Sequence, residues 1–196
     1  MKPSFAADVL DQLFHQAHTA HAFIPHALSD QDLHRLYDTM KWGPTAFNAS
    51  PARFVFLRSA EAKKRLIPAL SPGNVPQVES ASLTVIVAMD QQFYEHLPRL
   101  FPAYDAKPIF ENNVHAASEA AFRNGTLQGA YLLIAARALG YDCGPMSGFD
   151  ADKVNAEFFP DGRSRANFLM NIGVADPKGV YPRNPRLSFQ EAAEIL

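Results

Sequence analysis

Cysteine is almost absent: Cys143 is the only one in 196 residues. No disulfide can form within the chain, and the expected setting is a reducing one, the cytoplasm. Net charge is small as well. The formal value is -2 with 19% charged residues, so nothing draws the chain to nucleic acid or to an anionic membrane. The longest apolar runs, Leu83 to Met89 and Gly129 to Ala136, are too short to span a bilayer. The N-terminal residues lead into a segment with Asp8 and Asp11 and do not read as a secretory signal. There is no G-x-S-x-G, C-x-x-C, H-E-x-x-H or Walker A, and no GxGxxG after a strand. Those catalytic chemistries therefore have no signature here.

What is present is a mixture of helical and strand patterns without repeats or linkers, read as a single domain over residues 1–196. Phe5 to Ala17 has a helical stripe of Phe5, Val9, Leu10, Leu13 and Phe14. A second helix starts at Ser29, with Asp32 three residues on, and ends at Gly43-Pro44. Phe54 to Leu57 reads as a strand, and Ser59 as the cap of a short helix. Leu83 to Met89 lacks alternation, which predicts a fully buried strand. A short helix around Phe93 to Leu100 opens an aromatic, proline-interrupted segment. Asn112 to Leu139 is the longest helix, rich in Ala and Gly. Tyr141 to Cys143 and Asn167 to Val174 are the last strands, and Ser188 with Glu191 suggests a final capped helix. Scattered strands among helices favour an α+β sandwich over a doubly wound fold.

Several side chains invite a chemical reading. His15 and His18, with Asp11, have a spacing that could hold a metal, but histidines near a helix end also serve as caps, and no metal is expected. Cys143 reads as a small buried hydrophobe. Two irregular segments are more telling. In Gly43 to Ser50, Thr45, Asn48 and Ser50 offer hydroxyl and amide groups. In Gly144 to Asp150, Gly144 and Gly148 permit close backbone approach, and the N–H groups of Ser147 and Gly148 are candidate donors. Each segment alone also reads as an ordinary turn. Together they suit a planar polar ligand.

Leu36 to Phe56, with its P-[ST]-x-x-N core, resembles the helix-loop-strand of the FMN-dependent nitroreductase family. Leu127 to Asp150 resembles that family's central helix, turn and flavin loop, and Arg183 to Glu191 its basic C-terminal segment. Within the family, both loops look most like the malonic-semialdehyde-reductase and NADH dehydrogenase–NAD(P)H nitroreductase branch. The resemblance implies an α/β/α sandwich with a mostly antiparallel sheet, assembled as an intertwined homodimer with FMN at two interface sites. It implies that Pro44, Thr45, Asn48 and Ser50 approach the flavin from one subunit. Pro145, Met146, Ser147 and Gly148 would lie along it from the other, with Asn74 and Gln77 nearby. His18, Thr19 and His21 occupy the segment that usually meets the phosphate and pyrimidine edge, where Arg or Lys is common. Arg183, or Arg186, would hold the phosphate. No catalytic side chain is implied, because the flavin carries the chemistry. The activity implied is ping-pong hydride transfer from NADH or NADPH through flavin N5 to a small acceptor such as a nitro compound, quinone or semialdehyde. The alternative is a flavin-binding carrier, or a degenerate homologue with little turnover.

Overall fold

The computed structural model describes all 196 residues. In chain order the helices are α1 (Ala7–Leu10), α2 (Asp30–Met40), α3 (Ala60–Leu66), α4 (Val75–Ser80), α5 (Leu97–Leu100), α6 (Lys107–Glu111), α7 (Val114–Ala138), α8 (Ala151–Phe158) and α9 (Phe189–Ala192). The strands are β1 (Phe23–Ile24), β2 (Ala52–Leu57), β3 (Leu83–Asp90), β4 (Asp142–Met146) and β5 (Ser164–Ala175).

Capping chemistry fixes several helix starts. Ser29 accepts from Asp32 N while the Asp32 carboxylate accepts from Ser29 N at 2.8 Å, so an aspartate completes the box that normally takes Glu or Gln. Asn113 caps α7 through Ala116 N at 3.0 Å, and Asp150 caps α8. The expected helix from Phe5 to Ala17 is shorter than its apolar stripe. A four-residue α-turn gives way to a π-turn over Asp11–His15, and only Leu13 of the stripe is buried.

All five strands join one sheet with every strand pair antiparallel. β2 pairs β3, and β3 pairs β5. The opposite side of β5 takes β4 over Gly173 to Leu169 and β1 over Ala175 and Val174. α2 and α7 cover one face through Leu36, Met40, Val85, Leu132 and Ile172. On the other face, Leu66, Val78, Ile86, Val154 and Leu169 pack α3, α4 and α8. These positions are at most 2% exposed, and each large aliphatic side chain so buried contributes about 1.5–3 kcal/mol. β3 is buried along nearly its whole length, as its unbroken apolar run predicts.

The segment after β3 forms a satellite core. Phe93, Leu97 and Phe110 pack on Ala117 and Ala121 near the start of α7. Asp90, 1% exposed, anchors this excursion by binding Arg53 at 2.6 Å and Arg163 at 3.2 Å. Arg163 also reaches Glu95 at 2.9 Å. The hydrogen bond to Asp90 raises the Arg163 pKa above its ordinary value, which favours the charged guanidinium. No helix is long and apolar enough to cross a membrane.

Candidate functional site

The first irregular segment is held by the longest helix. Asn124 and Gln128 lie one turn apart on the buried side of α7, in a stripe otherwise of Ala and Gly. Asn124 Oδ1 accepts from Ala46 N, and Gln128 Oε1 accepts from Ala52 N, both at 2.8 Å. Two buried amides thus grip the two ends of the loop. Their spacing, i and i+4 on a small-residue face, was the available signal, and sequence reasoning marked this helix for its Ala and Gly without singling out either amide.

Between those grips the backbone is strained. Phe47 (φ 54°), Asn48 (φ 51°) and Ser50 (φ 43°) all occupy the left-handed region that non-glycine residues avoid. Strain of this kind costs of order 1 kcal/mol per residue and clusters at functional sites. Thr45 Oγ1 accepts from Ser50 N at 3.1 Å, and Asn48 Nδ2 donates to Leu100 O at 3.0 Å. Part of the polar set expected to face a ligand therefore shapes the loop itself. Phe47 packs against Phe101, Tyr104 and Phe110. Phe93 and Phe110 likewise belong to the satellite core. Asn48 and Ser50 border a cavity of about 630 Å³, and exposed Pro44 stands just before Thr45.

The second segment differs from expectation at its start. Strand pairing continues through Gly144, Pro145 and Met146, opposite Asn171, Met170 and Leu169, so the irregular stretch begins only at Ser147. Proline is admissible because β5 is the only strand that β4 pairs with. The glycines do allow close approach, but to the protein itself. A Cβ on Gly144 would lie 2.4 Å from Ala20 O, and one on Gly148 would lie 2.6 Å from Asn74 Nδ2. Gly148 O accepts from Ser71 N and from Asn74 Nδ2, each at 2.9 Å. Gln77 Nε2 steadies Asn74 Oδ1 at 2.8 Å. Ser147 O accepts from Phe149 N, which turns the Gly148 N–H the opposite way. The N–H groups of Ser147 and Gly148 donate to nothing within the chain.

Beside β4 runs the segment from His18 to His21. Ala20 N donates to Cys143 O at 3.0 Å, which joins this segment to the second loop's strand. His18, Thr19, His21, Arg183 and Arg186 gather around a cavity of about 520 Å³. His18 Nδ1 lies 3.1 Å from Tyr181 O; a carbonyl only accepts, so Nδ1 donates, and Nε2 can donate outward only from the protonated ring. Arg183 Nη2 donates to His15 O and Ala17 O, which leaves the Nη1 and Nε donors of its guanidinium. Arg186 turns onto its own segment through Asn184 O and Pro185 O. Arg137, in the last turn of α7, enters the same cavity while one nitrogen holds Leu13 O at 2.9 Å. The sequence reading missed it. No carboxylate lines this cavity.

No three His, Cys, Asp or Glu side chains gather where a metal could sit; His15 pairs with Asp11 at 3.0 Å. Burial pushes the Cys143 thiol up to about 12, so it is no nucleophile near neutral pH. The structure thus brings together His18, Thr19, His21, Arg183 and Arg186 at one cavity, and Asn74, Gln77 and Gly148 at the turn that follows β4. The first loop stands apart: its cavity shares no lining residue with the second, and no hydrogen bond joins the two loops.

Known proteins show the same arrangement of sequence and fold. A protein of Ralstonia nicotianae named "Putative NADH dehydrogenase/NAD(P)H nitroreductase" is 54% identical over 99% of this chain and 100% of its own. A Bacillus subtilis structure described as "putative nitroreductase" superposes with a TM-score of 0.85 at 22% identity, covering 97% of this chain and all of the other. An Exiguobacterium sibiricum structure, described as "a putative nitroreductase in complex with FMN", gives 0.83 at 21% identity with both chains fully covered. The fold is that of the nitroreductases, and residues 15–174 match the Nitroreductase family pattern, so the chain belongs to that family.

Proposed function

We propose that this chain is an FMN-dependent NAD(P)H oxidoreductase that reduces a small acceptor (a nitro compound, quinone or semialdehyde) by a ping-pong scheme. One observation carries the reading. A carboxylate-free cavity with three arginines is lined by the segment that Ala20 ties to β4, and β4 runs on into a turn whose two successive N–H groups have no partner within the chain. The first suits a phosphate, the second the polar edge of a flat ring. The name of the 54% identical relative supports the donor and the class. When bound, with Arg137 and Arg183 at its phosphate and the Ser147–Gly148 turn at its ring, FMN would supply the redox chemistry between nicotinamide and acceptor.

Everything else falls to the chain's own groups. Arg137 and Arg183 hold the phosphate, each already oriented by the backbone carbonyls it binds. Thr19 and His21 border the same space. Asn74 and Gln77 fix the Gly148 carbonyl, so the N–H groups of Ser147 and Gly148 stay aimed outward. Pro145 extends the wall from the exposed face of β4, whereas Met146 turns the other way and packs on the core with Leu66 and Leu169. The first loop supplies Pro44, Thr45, Asn48 and Ser50 from a second copy, because one chain keeps the two halves apart. Exposed apolar residues fit such a homodimer: Phe122 and Leu127 on α7, and Leu187 and Phe189 in the tail. We place the whole of residues 1–196 in one domain, in a cytoplasmic setting where reduced nicotinamides are at hand.

The test is reconstitution with FMN, followed by anaerobic mixing with NADH and NADPH. Loss of the flavin's visible absorbance within seconds is the expected result. Bound flavin that neither donor bleaches would favour the carrier, a reading that His18 and His21 standing in the N-terminal segment keeps in view. A melting temperature unmoved by excess FMN would remove the flavin reading altogether.

A further inference from the structure

The cavity beside the first loop has its own charge pattern. Asn48 Nδ2 holds Leu100 O, so the end of α5 and the strained loop form one wall. Lys41, Arg53, His96 and Arg99 line this space of about 630 Å³, and no carboxylate does. In a chain of net charge -2 that is a local excess of positive charge. Most of it is already answered. Lys41 pairs with Asp38 at 2.5 Å, and Arg53 with buried Asp90 at 2.6 Å. Arg99, next to the tethered Leu100, has no hydrogen bond and no ion pair in the structure, and His96 has none either.

A guanidinium keeps its charge at every working pH and presents a flat fork that matches a carboxylate. One free fork fits one carboxylate. A dinucleotide's pyrophosphate brings two charges, and the cations needed for the second are engaged within the protein. We propose that Arg99, with His96 beside it, binds the carboxylate of an anionic acceptor in this cavity. The proposal rests on the oxidoreductase reading above and specifies its acceptor class.

Trp42, the only tryptophan, lines the same cavity and is largely exposed, so its emission reports occupancy without turnover. The probes are 4-nitrobenzoate and the uncharged, near-isosteric 4-nitrobenzamide, titrated against the wild-type chain, Arg99→Gln and Arg99→Lys. Wild type binds the acid more tightly than the amide. Arg99→Gln lowers that preference by about tenfold, as expected for a lost charge-assisted pair, and Arg99→Lys restores part of it. With the FMN-loaded enzyme the same ratio falls in KM for the two acceptors, while KM for NADH and NADPH holds. An equal loss for acid and amide, or a rise confined to the KM of the nicotinamides, overturns the proposal. Flavin uptake and reduction by NADH are measured first on the wild type. Failure there sinks the oxidoreductase reading, whereas the Trp42 titration still decides whether Arg99 selects a carboxylate.

Discussion

The loop from Pro44 to Ser50 and the turn from Ser147 to Asp150 contain similar residues, yet the chain shapes them in opposite ways. The first holds three non-glycine residues in the left-handed region; the second holds none, and even Gly148 has an ordinary φ. The second is tied down at successive points: Gly148 O to Ser71 and Asn74, Ser147 O to Phe149 N, Asp150 N to Ala69 O at 2.7 Å. The first is gripped at its ends by Asn124 and Gln128 and tethered within by Asn48 to Leu100. The second turn, though also tied to a distant segment, needs no residue in the left-handed region. The other keeps its shape because distant elements impose it, which is how strain of a few kcal/mol persists in a native state.

The largest effect is expected on the quiet side. Gly144→Ala puts a Cβ 2.4 Å from a backbone oxygen, Ala20 O, that cannot swing away as a side chain would. Urea unfolding should show a loss of about 3 kcal/mol, as for an overpacked core site. Cys143 is the internal reporter. In the wild type its thiol is buried and protonated, so iodoacetamide at pH 8 leaves it untouched. In the variant it should react. Gly73→Ala, with nothing within 4 Å of its Cβ, is the control and should change stability by no more than about 0.5 kcal/mol. If the two variants unfolded alike, close apposition of the His18–His21 segment to β4 would be wrong.

On the strained side the expected effect is smaller and more local. Asp90→Asn keeps the volume and removes the charge that Arg53 and Arg163 share. Breaking a buried pair costs about 3–5 kcal/mol, but both guanidinium groups are about one-third exposed, and water screens part of that. A loss of about 2 kcal/mol is expected. Asp90 also accepts from Gln92 N at 2.8 Å, and its own N–H donates to Pro51 O at 2.9 Å. Amide exchange should therefore quicken in residues 91–100 and in the first loop, and hardly at all near Ser147. Uniform quickening would erase the contrast between the two regions.

The sequence disclosed most where the physics is local. Ser29 with Asp32, Ser188 with Glu191 and the β-branched run from Leu83 each act within a few residues, and each lies where expected. Both loops were also found, because Gly, Pro, Ser and Asn mark turns by their own backbone preferences. What stayed hidden depends on partners far along the chain. The left-handed Phe47, Asn48 and Ser50 are imposed from Asn124 and Gln128, more than seventy residues away. Pro145 read as a loop residue, since only the pairing with Met170 shows a strand there. The stripe of Phe5, Val9 and Phe14 read as one face of a helix, but these three side chains stay exposed in the single chain. Arg137 looked like one more residue of a packing helix until the fold brought the 181–186 segment round to the same cavity.

Ser50→Gly is the mildest change and separates strain from ligand contact. The Ser50 hydroxyl makes only one long contact, 3.4 Å to Asn48 O, and the Ser50 carbonyl that Arg53 binds is backbone and survives the substitution. Glycine relieves about 1 kcal/mol of left-handed strain at φ 43°, but its freer unfolded chain takes back a similar amount. Thermal stability should therefore move by less than about 0.5 kcal/mol. If the hydroxyl faces a flavin held by a second copy, FMN affinity falls several-fold while the fold stays intact. A clear gain in stability with unchanged FMN binding would mean that the strain is greater than supposed and that Ser50 serves the loop's shape alone, leaving Asn48 and Thr45 to account for the first loop's share of the site.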